Sequence, residues 1–258
     1  MRQNKFSSSL IIWLILSTLI ILTAICVIFI VMKKFKSNVK NKSVAVLITI
    51  LFYSSALIAQ VQVSKEPRHK NILENKYARL LDVNIQPGDT SLFHIHSTPS
   101  VFVYFTNTVV CSQIKGKEWV TAKNTAGNAS YKSFVNDTLV HRVSNCDTVA
   151  FHVTDIELLA PYKPAAKLPP LPFSVLFENE KVIAYRLTAT VFNNQIIKGR
   201  RPMIAVLVAG SGVAIRNKKD ESISQVTTGK YLYIQPGTAF YFSASGDAAI
   251  NLVLFEIK

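Results

Sequence analysis

The stretch "PGDTSLFHIHSTPSVFVYF", Pro87–Phe105, decides how this chain is read. A Pro-Gly-Asp turn leads into an apolar, β-prone run that contains two histidines, His94 and His96, spaced two apart. Successive side chains of a strand point to opposite faces, so residues two apart share one. His94 and His96 then lie on one face, with Phe93 and Ile95 on the other. Two imidazoles on one face can converge on a single ion, and neutral imidazole is the commonest ligand for biological transition metals. They can also be two polar residues on a half-wet strand. The surroundings must decide.

The 258-residue chain is only 17% charged and 49% hydrophobic, which suits a substantial core. Its formal net charge of +14 is unevenly spread. Residues 1–59 carry seven basic residues (Arg2, Lys5, Lys33, Lys34, Lys36, Lys40 and Lys42) and no acid. Two apolar segments flank the lysines. Residues 10–32 form a 23-residue run, long enough to span a bilayer as a helix. "KKFKSNVKNK", Lys33–Lys42, follows, and then a second apolar stretch over 43–58. The unit 33–59 reads as a basic loop plus a second hydrophobic segment or signal peptide, with a cleavage point at Ala59–Gln60. Met32 is an alternative start, which would place 1–31 upstream of the true protein. Either way residues 60–258 are expected outside the cytoplasm, membrane-anchored or secreted, and periplasmic if the source is bacterial. The other basic residues are scattered, with no basic stripe and interleaved aromatics, which argues against nucleic-acid binding. Cys111 and Cys146 are the only cysteines in the exported part, and an oxidising compartment would permit a disulfide between them.

"APYKPAAKLPPLP", Ala160–Pro172, holds five of the ten prolines and reads as a stiff linker. It separates a first unit, 66–160, from a second, 173–258. Both are expected to be all-β, with short Val/Ile/Phe/Tyr/Thr runs between turn signals such as Pro87-Gly88-Asp89 and Gly210-Ser211-Gly212. The halves resemble each other. "ENKYARLLDVNIQPGD" opens one at Glu74 and "ENEKVIAYRLTATVFN" the other at Glu178, and each continues with an apolar strand, expected at 101–110 and 204–215.

Two further patterns settle the histidines. "GDTSLFHIH" fits G-x5-H-x-H at Gly88, His94 and His96, and "HRVSN" fits H-x3-N at His141 and Asn145. In this order they resemble the paired motifs of the cupin family. The exported part is similar to a bicupin, with a second, divergent copy. The resemblance implies two jelly-roll β-barrels, and a metal held inside the first by His94, His96 and His141. The family's usual glutamate is missing, since Ser100 and Val101 stand in its place. That departure resembles the three-His cupin dioxygenases, which use Fe(II) to bind a small organic substrate and O2 side by side; Zn, Mn and Cu stay open as alternatives. A homodimer is also implied by the resemblance alone. In the second half the aligned positions are Lys198, Arg200 and Phe240, which cannot complete a divalent-metal site. Lys198, Arg200 and Arg201 are expected to form a solvated basic loop or an anion-binding surface.

The remaining candidates read as structural. His152 is expected to be a satisfied strand histidine and His69 an exposed one. Arg142 alternates with His141 and should point away from the metal. Tyr104 and Phe102 default to core packing, and Asp155 with Glu157 to a charged barrel face rather than an acid/base pair. No catalytic residue is assigned, and no nucleophile elbow, P-loop or dinucleotide fingerprint is present. Two functional classes remain: a metal-dependent oxygenase-like enzyme, and a non-catalytic binding or scaffold protein with a degenerate site.

Overall fold

Turn residues break the chain into short β-branched and aromatic runs, and each run pairs with a distant one. The structure, a computed structural model, describes residues 60–164, 168–188, 195–244 and 249–258. Among the described residues the only helical element is a 3-10 turn at Val63–Lys65. The first half contributes β1 (Val61–Gln62), β2 (His69–Glu74), β3 (Ala78–Ile85), β4 (His94–His96), β5 (Ser100–Tyr104), β6 (Thr108–Ile114), β7 (Trp119–Asn124), β8 (Ala129–Lys132), β9 (Leu139–Asn145) and β10 (Phe151–Leu158). The second contributes β11 (Ser174–Glu178), β12 (Val182–Leu187), β13 (Met203–Ala209), β14 (Val213–Asn217), β15 (Ile223–Val226), β16 (Lys230–Ile234), β17 (Phe240–Ala244) and β18 (Asn251–Ile257).

The first half builds two sheets, β1-β4-β9-β6-β7 and β2-β3-β10-β5-β8. The second builds β11-β12-β18-β13-β16 and β15-β14-β17. The five-stranded sheets match strand for strand in order, and β17-β14-β15 repeats β9-β6-β7. The chain is therefore two jelly-roll-like copies of one β unit. Residues 101–110 and 204–215, expected as single strands, are each two strands on different sheets. Each corner is marked only by a short polar or glycine-rich break, Thr106-Asn107-Thr108 and Gly210-Ser211-Gly212, between apolar runs. In the second copy Gly210, at φ 122°, supplies a backbone conformation that side-chain-bearing residues rarely adopt.

Three buried clusters hold the unit together. Val63, Leu81, Val83, Ile85, Val110, Phe151 and Val153 line the first barrel. Tyr185, Leu187, Met203, Leu207, Phe240 and Phe242 help fill the second. The third joins the copies: Leu80, Val101 and Ile156 from one five-stranded sheet pack with Val206, Val253 and Phe255 from the other. Gln60–Lys258 is accordingly a single compact unit. Cys111 on β6 and Cys146, just after β9, are joined by a disulfide. The apolar segments 10–32 and 43–58, the lysine loop and the Ala59–Gln60 junction lie outside the described residues. Among the described residues no helix is long and apolar enough to cross a membrane.

The second copy corrects the expected alignment. In the first, His94 pairs with His141 across β4 and β9. The corresponding bridge pairs Ile197 with Phe240. Ile197, not Lys198, thus stands where His94 does, and Gly199, not Arg200, where His96 does. A one-residue slip moves a side chain to the other face, so Ile197 is buried while Lys198 is exposed. Arg200 and Arg201 form neither a solvated loop nor a free anion site. Arg200 is buried, its Nη2 donating to Glu256 Oε2 at 2.6 Å and its Nη1 to the Pro169 carbonyl of the proline-rich stretch. Arg201 Nη1 lies 3.3 Å from Glu256 Oε1, and the Tyr185 hydroxyl donates to Glu256 Oε2 at 3.2 Å.

Breaking a buried pair strands a charge, which costs more than the pair contributes. Glu256→Ala should lower unfolding free energy by about 3–5 kcal/mol in urea titration. Replacing both partners, Arg200→Met with Glu256→Leu, should recover most of that loss.

Candidate metal centre

Backbone register brings the motif histidines together. β4 runs antiparallel to β9 with His94 opposite His141 and His96 opposite Leu139. His96 is two residues from His94 and shares its face. Ligand nitrogens of His94, His96 and His141 all lie within 4.8 Å of one another. His96 Nε2 and His141 Nε2 are 3.1 Å apart.

Each ring is oriented through its other nitrogen. His94 Nδ1 donates to the Leu92 carbonyl at 2.9 Å. His141 Nδ1 is 3.2 Å from Ser112 Oγ. His96 Nδ1 faces Asp155 Oδ2 at 3.5 Å, a long approach in which neither Asp155 oxygen completes a hydrogen bond. The Leu92 carbonyl assigns the His94 proton to Nδ1 and leaves its Nε2 as a lone pair. His94 Nε2 is buried without any hydrogen-bond partner. Buried polar atoms rarely stay unpaired, and the 3.1 Å between His96 Nε2 and His141 Nε2 is a separation that two ligands of one ion can adopt. The donor set therefore fits a divalent metal.

Electrostatics keep the rings neutral, as a metal requires. Burial lowers His94 to about 4, helped by the neighbouring His69. Burial, then His141 and His94, lowers His96 to about 2. Burial, then His94, lowers His141 to about 3. Asp155 moves the other way: burial, then the Glu157 charge, pushes it up to about 8.

The histidines face a cavity of about 240 Å³ whose wall is largely apolar and includes Val83, Ile85, Phe102, Tyr104, Phe151 and Val153. Phe134 stacks on His96, with centroids 5.0 Å apart, and holds a left-handed backbone at φ 55°. That conformation is strained for an aromatic residue, and it is held where the ring packs against His96 and Phe102.

Several other residues fall where the sequence did not place them. His69, expected exposed, is buried and lines the cavity, because β2 starts there and pairs it with Val83. Its Nδ1 is 2.7 Å from Glu66 Oε2, an i,i+3 spacing that was visible in "EPRH". Asp155 and Glu157 share one face of β10, as expected of a barrel face, but both are buried. Asp155 lies in the cavity, and Glu157 is buried against Arg79 at 2.7 Å. Arg142 points away, stacked on Phe93 and Trp119. His152 is satisfied by Asp82 at 2.6 Å. Asn145 is no ligand: its Nδ2 donates to the Ile85 and Val149 carbonyls and ties off β9.

No protein-family model and no curated protein matches the sequence. Solved structures do. YlbA from E. coli is similar at 10% identity with a TM-score of 0.53, over 78% of this chain and 87% of that one. A cupin 2 conserved barrel domain protein from Leptotrichia buccalis is similar at 9% identity, TM-score 0.48, over 79% and 94%. Oxalate decarboxylase from Bacillus subtilis is similar at 10% identity, TM-score 0.44, over 76% of each chain. At these identities the likeness reaches the fold and no further. The described residues have the cupin fold, in two copies.

The histidine shifts give the metal-free protein a pH dependence. Unfolded histidines take up protons below their ordinary 6.5, while the folded ones resist until about pH 4 or lower. Asp155 opposes this, since its raised value favours the fold at low pH and loses that effect as pH rises through about 8. Three groups outweigh one, so stability falls between pH 6.5 and pH 4. In excess chelator, the urea midpoint should be lower at pH 4.5 than at pH 7, and His96→Gln should flatten the slope. A midpoint that rises toward pH 4.5 would mean the folded imidazoles carry protons.

Proposed function

We propose that this chain is an exported or membrane-anchored metalloprotein whose first barrel holds a divalent metal on His94, His96 and His141. It acts on a small organic substrate in the manner of a non-haem Fe(II) dioxygenase. One observation carries this reading: three imidazoles bring ligand nitrogens within 4.8 Å of one another on the wall of a mostly apolar cavity. The ion would supply Lewis acidity and open coordination positions for a substrate and a co-substrate. The chain's own groups do the rest. The Leu92 carbonyl holds His94 in one tautomer, Ser112 steadies His141, Phe134 stacks on His96, and the apolar wall limits water at the site. The Cys111–Cys146 disulfide fits the oxidising compartment that the basic and apolar N-terminal pattern implies.

A second reading has its own support. The second barrel spends its interior on packing, with Ile197 and Phe240 at the corner where the first has histidines. That is what a scaffold does, and on this reading the histidines of the first barrel are relics of the family pattern.

Elemental analysis of the full chain, beside a His94→Ala/His141→Ala double variant, separates the two. Near-stoichiometric iron, zinc, manganese or copper is expected in the parent and none in the variant. Anaerobic Fe(II) loading followed by oxygen-electrode assays on small organic substrates should then show substrate-dependent O2 consumption. A parent that stays metal-free after reconstitution sinks the metal reading and leaves the scaffold.

A further inference from the structure

We propose that His69 is the fourth protein ligand of this centre, in the place left by the absent carboxylate ligand, with Glu66 as its anchor. The inference rests on the metal reading above and extends it to a residue outside both motifs.

His69 repeats the wiring of His94, whose Nδ1 is held by an acceptor oxygen. Its Nδ1 is held by a buried acceptor, Glu66 Oε2 at 2.7 Å. Its Nε2 is thereby left as the ligating lone pair. The ring lines the same cavity and lies against His94, with centroids 4.6 Å apart. The motif histidines already cluster within 4.8 Å of one another. Ligation asks the His69 side chain to swing from the adjoining wall toward them, with Glu66 as the pivot.

Glu66 is built to hold this position. Its side chain is fully buried. Besides His69 it accepts the Arg68 amide at 2.6 Å and the Leu92 amide at 3.1 Å. The Leu92 carbonyl in turn holds His94 Nδ1. One carboxylate therefore orients His69 directly and His94 through a single peptide. Arg68 closes the network by a second pair of contacts, to Asp89 of the Gly88 turn. A buried carboxylate behind a metal-bound imidazole raises the ring's basicity and offsets part of the ion's charge. With Ser100 and Val101 at the usual glutamate position, the β4–β5 segment carries no carboxylate side chain.

Co(II) titration of the metal-stripped full chain tests this, because the visible absorption of Co(II) reports ligand number and geometry independently of any activity. His69→Ala should bind Co(II) about tenfold or more weakly and with an altered spectrum. Added imidazole should restore the parent spectrum, which a merely structural role of His69 would not allow. His69→Gln, which keeps most of the volume, serves if the alanine variant does not fold, and should show the same spectral change. Parent-like affinity and spectrum in the His69 variants, with binding abolished in His94→Ala/His141→Ala, would overturn the fourth ligand and leave the three-His centre standing. A parent that binds no Co(II) would overturn both.

Discussion

The pairing of β4 with β9 is the constraint on which the rest of the site depends. It sets His94 opposite His141, and the two-residue period of a strand brings His96 to the same side. A slip of one residue would turn both β4 histidines out of the barrel. Register this consequential is pinned from outside the short strand. Gly88, at φ 75°, turns the chain and donates its amide to the Asn145 carbonyl at 3.0 Å. The Asn145 amide returns to the Asp89 carbonyl at 3.0 Å, and Ser91 and Val143 exchange two further bonds of 2.8 Å. The disulfide fastens the next residue, Cys146, to β6. The glycine and asparagine of the two motifs thus serve the metal centre without touching it: they keep the strands from sliding.

A barrel interior must be filled, by side chains or by a site. The second copy takes the first course. Its corner is closed by Ile197 and Phe240, and its charged groups, Arg200 and Glu256, are spent on each other. The first copy keeps a cavity, which forfeits packing contacts. Its inner cluster is correspondingly sparse. What offsets this is the shared core, where the outer face of the β3-β10-β5 sheet is buried by the second copy rather than by solvent. The closed barrel is in this sense the support of the open one.

Much of this was legible in the sequence. Turn chemistry and alternation indicated the β class, and the spacing of His94, His96 and His141 marked the residues that converge. What escaped was set by tertiary contact. The corners inside 101–110 and 204–215 are breaks of only three residues, Thr106-Asn107-Thr108 and Gly210-Ser211-Gly212, with apolar runs on both sides, so each pair of strands read as one. In the second copy no polar landmark fixes the register, and the alignment slipped by one residue to Lys198. His69 sits in a polar lead-in and reads as exposed; only its pairing with Val83 turns it inward. Asp155 belongs to a strand buried on both faces, one toward the cavity and one toward the second copy, and there alternation no longer separates inside from outside.

Charge decides what such a centre can accept. Three neutral imidazoles leave the double charge of a divalent ion unbalanced, in surroundings where an uncompensated charge is costly. Two buried carboxylates stand one imidazole away: Glu66 behind His69, and Asp155 beside His96. Burial alone would raise Glu66, yet the bonds from His69 and the Leu92 amide bring it down to about 2, so it is ionised at any physiological pH. Burial and the Glu157 charge push Asp155 up to about 8 with only the Ser100 hydroxyl opposing them, a balance that a nearby cation would tip toward the ionised form. Moving the negative charge from the first ring of contacts to the second has a chemical consequence. A bound ion would keep its net attraction for anionic groups even with His69 in the glutamate's stead, because a neutral imidazole adds no charge. On the proposed metal reading, a largely apolar cavity with such an ion in its wall would favour a small molecule with an anionic or ionisable group on an apolar body.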